Sequence, residues 1–251
     1  MTQDAQLKLK QSVLRALSTV TDPELDEPIT DLGFVKELSI SDDGQVSLDL
    51  VTSTFWCSPN FVYMMLEEAR DVVSKLAGIN DVRVHLDGHH DSDRINEAIN
   101  SGKSFSDCYG DEATGNLVEL NRMIRTRALR SRLHSMATTL SKVGFSPEQL
   151  LDLSRQDVTS DGDSVVVTSP RGTFSISDFE DVRRVSRYLQ FRERIKPRDG
   201  PLVVWDLDGN PPERDGFRSA LEEARLARAN FSLNAEMCRA LLASRLDREQ
   251  P

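Results

Sequence analysis

The sequence predicts an α+β protein, with a small N-terminal domain in the order helix-strand-strand-helix-strand and a mostly helical C-terminal domain that carries a β-hairpin. Three observations support this fold class. Apolar residues recur at helical spacing before Asp22-Pro23. Two segments of alternating apolar and polar residues flank the turn at 42–44. A long helical pattern then begins at Leu117.

The first helix and the first two strands are adjacent in the chain. The helix is expected to end at Asp22-Pro23, because a proline disfavours helix at the residue before it. Residues 34–40 predict a strand, and the Asp-Gly pair at 43–44 suits a tight hairpin turn. Residues 46–50 alternate and predict a second, antiparallel strand. The apolar residues of the helix are Leu9, Val13, Leu17 and Val20.

The second helix and the third strand complete the N-terminal domain. Ser58 is a suitable N-cap, and Pro59 suits the first helical position. The helix is expected to end at Gly78, and residues 82–86 alternate as a third strand. Because the second and third strands flank a helix in a βαβ unit, they are expected to be parallel. Their carboxyl ends, and the beginning of the antiparallel first strand, therefore meet at one edge of the sheet.

The domain boundaries follow from composition. The first domain is predicted over residues 1–90 and the second over 117–251. Between them, residues 91–116 are rich in Asp, Ser, Gly and Asn and predict a polar linker or an ordered arm. The second domain opens with a helix over 117–142 and is interpreted as a client-binding or dimerisation module.

Capping boxes at Ser146–Gln149 and Ser177–Glu180 predict two further helices in the second domain. Its other predicted elements are a hairpin of residues 165–167 and 173–176, a buried strand at 202–205, and two last helices at about 214–229 and 232–246.

Composition excludes several function classes. A net charge of −10 makes nucleic-acid binding unlikely as a general role, since affinity for phosphate depends on basic surface. Three widely spaced cysteines, at 57, 108 and 238, suit a reducing cytoplasm better than a disulfide framework. The N-terminus opens directly into a helical pattern, so no secretion signal is expected. No apolar run approaches the roughly 18 residues that span a membrane.

Cys57 is the main candidate for chemistry. It precedes the N-terminus of the second helix, where free N–H groups favour a thiolate, the form of cysteine that binds metals. A buried structural cysteine is the alternative. Asp22, Glu24 and Asp31 are expected at the same edge of the sheet, where they would shape the turn or polarise the site and so contribute to cofactor binding.

A second group of candidate metal ligands follows the third strand: His89, His90 and Asp91. Imidazole and carboxylate ligands suit non-haem iron or zinc, but a solvated polar loop explains the same residues. Because adjacent residues of an extended segment point opposite ways, only one histidine is expected to reach Cys57. Cys108 is a further candidate ligand or resolving thiol. Cys238 is interpreted as a small core residue of a helix.

The segment from about Gln6 to Asp87 resembles the PaaD/SufT-type metal–sulfur cluster assembly domain. The matching stretches are TVTDPELDEPITDLGFVKELSI (19–40) and LVTSTFWCSP (50–59), and the spacing to GINDVRVHL (78–86) also fits. Ser58 stands where that family usually has a proline directly after the cysteine. The resemblance implies a role in iron–sulfur maturation, through one reactive cysteine and contacts with assembly or client proteins.

The predicted function is therefore a non-enzymatic maturation factor. It would bind iron or an iron–sulfur unit transiently through Cys57 and deliver it to a client metalloenzyme, for which the resemblance suggests a diiron monooxygenase. The partners would be this client or other assembly proteins, and a homodimer would supply two thiolates. A metal-free adaptor or assembly chaperone is the alternative. A thiol enzyme with Cys57 as nucleophile and His89 as base is a third hypothesis.

Two features of the C-terminal half have structural explanations. The arginines of the long helix form either a solvated face or a surface for an acidic partner: Arg122, Arg125, Arg127, Arg130 and Arg132. Asp206 and Asp208 follow an apolar run, as in haloacid-dehalogenase-type phosphatases. Only about forty residues remain after them, too few for that fold, and a turn is predicted instead.

Overall fold

The computed structural model describes residues 3–112, 117–196 and 199–249. By contacts the chain divides into two compact units, residues 1–117 with 231–251, and residues 118–230. The predicted division at residues 90 and 116 differs from this one in the placement of residues 231–251. The α+β class is confirmed, since a helix-strand-strand-helix-strand region is followed by a mostly helical part with a small hairpin sheet.

The first unit is built on a three-stranded sheet. Its elements are α1 (Gln3–Leu17), β1 (Val35–Ile40), β2 (Gln45–Val51), α2 (Pro59–Ser74), β3 (Asp81–Asp87), α3 (Ser92–Ser101), α4 (Phe105–Tyr109) and a 3-10 turn (Gly110–Glu112). β1 pairs with β2 antiparallel, and β2 pairs with β3 parallel. The predicted convergence of the carboxyl ends of β2 and β3 is therefore present.

Local sequence explains the edges of this sheet. Gly44, in the β1–β2 turn, has φ +80°, and a Cβ there would lie 2.4 Å from the carbonyl oxygen of Gly78, so only glycine fits without rearrangement. Alternate residues of β2 and β3 are buried, including Leu48 and Val84. α2 covers them with its apolar stripe. Ser58 occupies the N-cap position of α2, but its hydroxyl donates to Asn60 Oδ1 rather than capping the helix.

The segment between the two predicted domains is helical where the structure describes it. α3 and α4 occupy most of residues 92–109. α3 packs along β3, where Asn96 and Asn100 pair with the backbone of Leu86 and Val84. β3 is an edge strand of the sheet, and these side-chain amides pair with backbone N–H and C=O groups that no neighbouring strand reaches.

The second unit contains a second sheet and its own core. Its elements are α5 (Leu117–Lys142), α6 (Pro147–Leu150), a 3-10 turn (Arg155–Asp157), β4 (Val158–Ser160), β5 (Val165–Ser169), β6 (Gly172–Ile176), α7 (Phe179–Ile195) and the first part of α8 (Phe217–Glu249). β5 and β6 form the predicted hairpin, and β4 adds a third antiparallel strand that the sequence did not reveal.

Three predictions for this half were wrong in detail. Residues 202–205 are buried but form no strand, because they hydrogen-bond to side chains and turns instead, as Val204 N–H does to the Tyr188 hydroxyl. The two predicted last helices are one helix, α8, since nothing between residues 229 and 232 breaks it. The cap of α7 is Asp178, whose side chain accepts from Asp181 N–H, rather than Ser177.

Several arginines of α5 contact other residues of the second unit. Arg122 pairs with Asp208 at 2.5 Å, and Arg130 lies 4.4 Å from the centre of the Trp205 ring. Arg132 lies 4.6 Å from the Phe191 ring centre. Asp206 accepts from the N–H groups of Asp208 and Asn210, as the predicted turn requires. No described helix is long and apolar enough to cross a membrane.

Candidate functional site around Cys57

Cys57 lies in the loop between β2 and α2, two residues before the first helical residue, Pro59. The thiol is half-buried. Its sulfur lies 3.4 Å from the Thr54 hydroxyl and 3.6 Å from the Ser53 hydroxyl. In both contacts either the hydroxyl or the thiol could be the donor. The loop thus presents Cys57 at the carboxyl end of β2, as the sequence predicted.

His89 is buried and fastens this loop to the end of β3. Its Nε2 donates to the Cys57 carbonyl oxygen at 2.8 Å, and its Nδ1 accepts from Asp91 N–H at 3.2 Å. Burial lowers the pKa of His89, which favours the neutral ring that these two bonds require. Both ring nitrogens are therefore occupied by backbone groups, and the ring contacts the carbonyl of Cys57 rather than its thiol. This geometry suits positioning better than base catalysis.

His90 and Asp91 have different surroundings. His90 is exposed, and its Nδ1 donates to the Phe55 carbonyl oxygen at 3.1 Å. Asp91 is half-buried and accepts a 3.0 Å hydrogen bond from the Tyr109 hydroxyl. The prediction that the two adjacent histidines point opposite ways is wrong. Their ring centres lie only 4.3 Å apart, because the chain turns at residues 90–91 instead of staying extended. His89, His90 and Asp91 thus remain candidate ligands whose present contacts are with loop backbone and with Tyr109.

Two exposed aromatic side chains stand beside the thiol. Trp56 is 73% exposed and Phe55 is 46% exposed, and their rings meet edge to face at 5.0 Å. The Trp56 ring also lies 5.0 Å from the His90 ring. Large apolar side chains are rarely left exposed together without a partner. The surface next to Cys57 is therefore suited to protein contact.

Of the three predicted carboxylates, only Asp22 is buried. Its Oδ1 accepts from the N–H groups of Glu24 and Leu25, at 2.8 and 3.0 Å, and so shapes the turn as predicted. Burial raises the pKa of Asp22 to about 6, against the opposing effect of these two donors. Glu24 and Asp31 are exposed. Asp22 and Glu24 act electrostatically on the same thiol, that of Cys238.

Cys238, interpreted from the sequence as a small core residue of a helix, does lie on a helix and against a core. It belongs to the part of α8 that joins the first unit, and it is half-buried against the first core. Burial raises the pKa of its thiol, and Ser53 acts on the thiol in the opposite direction. The sequence did not indicate which core the cysteine faces.

Cys108 occupies a different place in the first unit. Its carbonyl accepts from Arg94 Nε at 2.9 Å, and its thiol lies 3.7 Å from the Arg94 carbonyl oxygen. Burial raises the pKa of this thiol as well. Within the described ranges, no group of three or more His, Cys, Asp or Glu side chains is arranged to hold a metal ion. Among the side chains at this site, thiolate is a ligand type that suits iron–sulfur units, and imidazole is one that suits iron.

Comparison with known proteins agrees with this geometry. Residues 10–86 match the family described as "Iron-sulfur cluster assembly protein". An uncharacterized protein of Methanocaldococcus jannaschii is 33% identical over 90 residues, which are 36% of this chain and 93% of that protein. The Fe-S protein maturation auxiliary factor YitW of Bacillus subtilis is 27% identical over 78 residues, 31% of this chain and 74% of that factor.

A third relative is much longer than the matching region. The iron-sulfur cluster carrier protein of Mycobacterium tuberculosis is 34% identical over 86 residues, which are 34% of this chain but only 22% of the carrier. The family match over residues 10–86 covers the sheet, α2 and the Cys57 loop, and it confirms the resemblance inferred from the sequence. The chain belongs, through residues 10–86, to the iron-sulfur cluster assembly protein family.

Proposed function

We propose that this protein is a non-enzymatic maturation factor that carries iron or an iron–sulfur unit as cargo on Cys57 and passes it to a client metalloenzyme. The observation that carries the proposal is the position of Cys57. The thiol lies within the family-matched residues 10–86, two residues before the start of α2, and within 3.6 Å of two hydroxyl groups. Cysteine thiolates are soft ligands that suit iron–sulfur units.

Incomplete coordination supports carriage rather than permanent storage. A metal that keeps open positions can be taken up by an acceptor, whereas a closed set of ligands holds it. The exposed Trp56 and Phe55 beside the thiol provide an apolar surface on which an acceptor would dock. The acceptor would be an assembly protein or a client metalloenzyme, and a non-haem diiron monooxygenase is the client that we propose to test first.

We also propose that the protein works in the cytoplasm, where its three free thiols would stay reduced. In a homodimer, two Cys57 thiolates would share one cluster. The ratio of iron to protein chains in the loaded protein, together with its mass in solution, distinguishes a shared cluster from one cluster per chain.

The test is anaerobic reconstitution of the full chain with ferrous iron and sulfide, in parallel for wild type, Cys57→Ser and Cys108→Ser. We expect wild type and Cys108→Ser to gain iron and visible sulfur-to-iron charge-transfer absorbance, and Cys57→Ser to gain neither. Cys108→Ser is the matched control because Cys108 is a half-buried thiol of the same unit.

Colourless, iron-free samples of all three proteins would contradict the proposal and favour the metal-free adaptor. In that case the Trp56 surface becomes the functional feature, and Trp56→Ala should weaken client capture while leaving the absorbance unchanged. Rapid alkylation of Cys57 with turnover of an electrophilic substrate would instead favour a thiol enzyme.

A further inference from the structure

We infer that Cys238, on α8, is the second thiolate ligand for the cargo at the Cys57 site. This inference rests on the proposed function and deepens it. It assigns to the C-terminal helix a part in binding that the family-like region, residues 10–86, does not contain. The cargo would be held by two thiolates of one chain, with its remaining positions open to an acceptor.

Cys57 and Cys238 pack against the same core and share Ser53 as a neighbour. The Ser53 hydroxyl oxygen lies 3.6 Å from the sulfur of Cys57, and both Ser53 and Cys57 act on the Cys238 thiol. Thiolates on one tetrahedral metal ion, with metal–sulfur bonds of about 2.3 Å, lie roughly 4 Å apart, and those on two metal ions of a cluster lie further apart. Two thiols with a common neighbour are the pair in this unit that suits such binding.

Packing against the first core fixes the position of α8 along its axis and its rotation about that axis. Ala235 and Leu242, three residues before and four residues after Cys238, are both buried in the first core. Leu242 also lies 3.5 Å from the Cβ position of Gly33. Residues at this spacing share one helix face. Cys238 therefore stands between two anchored positions and is directed towards the same core.

A third contact holds the next turn of α8 against both loops of the site. Arg245 Nη1 donates to the Thr52 carbonyl oxygen at 3.0 Å, just before Ser53. Its Nη2 lies 1.8 Å from where a Cβ of Gly88 would stand, so the guanidinium occupies the space that glycine leaves next to His89. The loops after β2 and β3 and the helix that carries Cys238 are thus joined at one place.

The groups that act on the Cys238 thiol are acidic: the carboxylates of Asp22 and Glu24 and the thiol of Cys57. A bound metal ion would compensate them together with the guanidinium of Arg245, which contacts the Thr52 carbonyl oxygen, and each thiol would release its proton to solvent on binding. Cys108 interacts with two positive groups, Arg94 and Lys103, and with one carboxylate, Asp91.

The experiment measures ferrous iron binding by full-length wild type, Cys57→Ser, Cys238→Ser and Cys108→Ser under anaerobic conditions, without sulfide and then with it. We expect Cys238→Ser to weaken iron affinity by about 100-fold, at the upper end of what loss of a group supporting a metal site costs. The charge-transfer spectrum should also change. Cys108→Ser should behave as wild type. Amide hydrogen exchange checks that each variant keeps the β1–β3 sheet.

A second measurement uses only the unaltered protein. Alkylation by iodoacetamide is followed by mass spectrometry with and without bound iron. We expect iron to protect Cys57 and Cys238 together and to leave Cys108 reactive. Because no substitution is made, this result does not depend on the folding of a variant.

The possible failures are distinct. Unchanged iron affinity and spectrum in Cys238→Ser, with loss in Cys57→Ser, overturns this inference and leaves the proposed function standing. If bound iron protects only Cys57 from alkylation, this inference is likewise overturned and the proposed function still stands. Absence of iron binding by wild type overturns the proposed function and this inference with it.

Discussion

At Asp22, burial and hydrogen bonding act on one carboxyl group in opposite directions. Two N–H groups stabilise the carboxylate, but burial dominates and raises the pKa to about 6. In the unfolded chain the pKa is near 4. The folded state therefore holds this proton more tightly, so its contribution to stability is complete below pH 4 and is lost as pH rises to about 6.

Asp22→Asn should remove this pH dependence. The amide oxygen still accepts from the Glu24 and Leu25 N–H groups, and no charge is buried. We expect the variant to be more stable than wild type at pH 8, by up to about 2–3 kcal/mol, and to differ little at pH 4. Asp22→Ala loses both hydrogen bonds and should destabilise at both pH values. Urea unfolding measures each difference, and a wild-type pH slope retained in Asp22→Asn would disprove the assignment.

Arg192 is a buried charge that organises the second unit. Its guanidinium donates to the carbonyl oxygens of Lys196, Asp199 and Pro201 at 2.8–3.0 Å. We expect Arg192→Leu to lower the free energy of unfolding by about 3 kcal/mol, because hydrogen bonds to a charged group are lost. Arg192→Lys should rescue it only partly, since an ammonium cannot reproduce the planar fork.

The control for Arg192 is Arg183→Leu on the same helix. Arg183 is half-exposed and lies 3.9 Å from Glu180, a surface pair that contributes little. Thermal or urea unfolding of the three variants should separate them. Equal stability of Arg192→Lys and wild type would show that the charge alone, rather than the three directed hydrogen bonds, is what the fold requires.

At the scale of elements, the end of β3 and the last turns of α8 depend on one glycine. Gly88 has φ +59°, a conformation that costs other residues about 1 kcal/mol, and its Cβ position is taken by Arg245. A side chain at residue 88 must therefore displace the guanidinium and break its bond to the Thr52 carbonyl oxygen. The loop and the helix are coupled by this contact.

Gly88→Ala should destabilise the first unit by about 2–3 kcal/mol. This value combines the strain of a positive φ at alanine with the loss of the hydrogen bond from Arg245 to the Thr52 carbonyl oxygen. Gly102→Ala is the matched control, because Gly102 has φ +70° and nothing lies within 4 Å of its Cβ position. Hydrogen exchange should quicken near residues 238–249 in Gly88→Ala only. Equal effects of the two substitutions would show that Arg245 accommodates the methyl group without loss.

At the scale of the whole molecule, the first unit is made of two segments distant in sequence. Residues 231–251 join residues 1–117, so the first core includes Ala235 and Leu242. Closing so long a loop costs entropy that only the packing of these residues offsets. The stability of the first sheet therefore depends on side chains near the other end of the chain.

Leu242→Ala should destabilise the first unit by about 2–5 kcal/mol, the usual cost of removing a buried leucine side chain. Leu241→Ala is the adjacent control, since Leu241 is 44% exposed whereas Leu242 is 4% exposed. Amide exchange in β2 and β3 should rise in Leu242→Ala and stay unchanged in Leu241→Ala. Faster exchange in β5 rather than in β2 would contradict the assignment of this helix end to the first core.

The local pattern of apolar and turn residues was enough to predict most helices and strands. α5 has the predicted bounds, and β1, β2 and β3 lie within one or two residues of their predicted positions, because apolar spacing and turn residues act over short distances. β4 was missed because three residues carry too little pattern. The break predicted within α8 was wrong, since polar residues on an exposed helix face do not end a helix. Residues 202–205 are as apolar as a strand, but their hydrogen bonds go to loop backbone and to the Tyr188 hydroxyl instead of to a neighbouring strand.

The sequence by itself determined the helix-strand-strand-helix-strand order of residues 1–90, the family, and the position of Cys57 at the carboxyl end of β2, because all three depend on contiguous motifs and on the topology of one βαβ unit. Only the tertiary structure decided that residues 231–251 join the first unit, that Asp22 is buried, that both nitrogens of His89 bond to backbone, and that Cys238 packs against the first core. Helical spacing shows which face of α8 is apolar. Which core that face covers depends on packing between residues almost two hundred positions apart, as between Thr52 and Arg245.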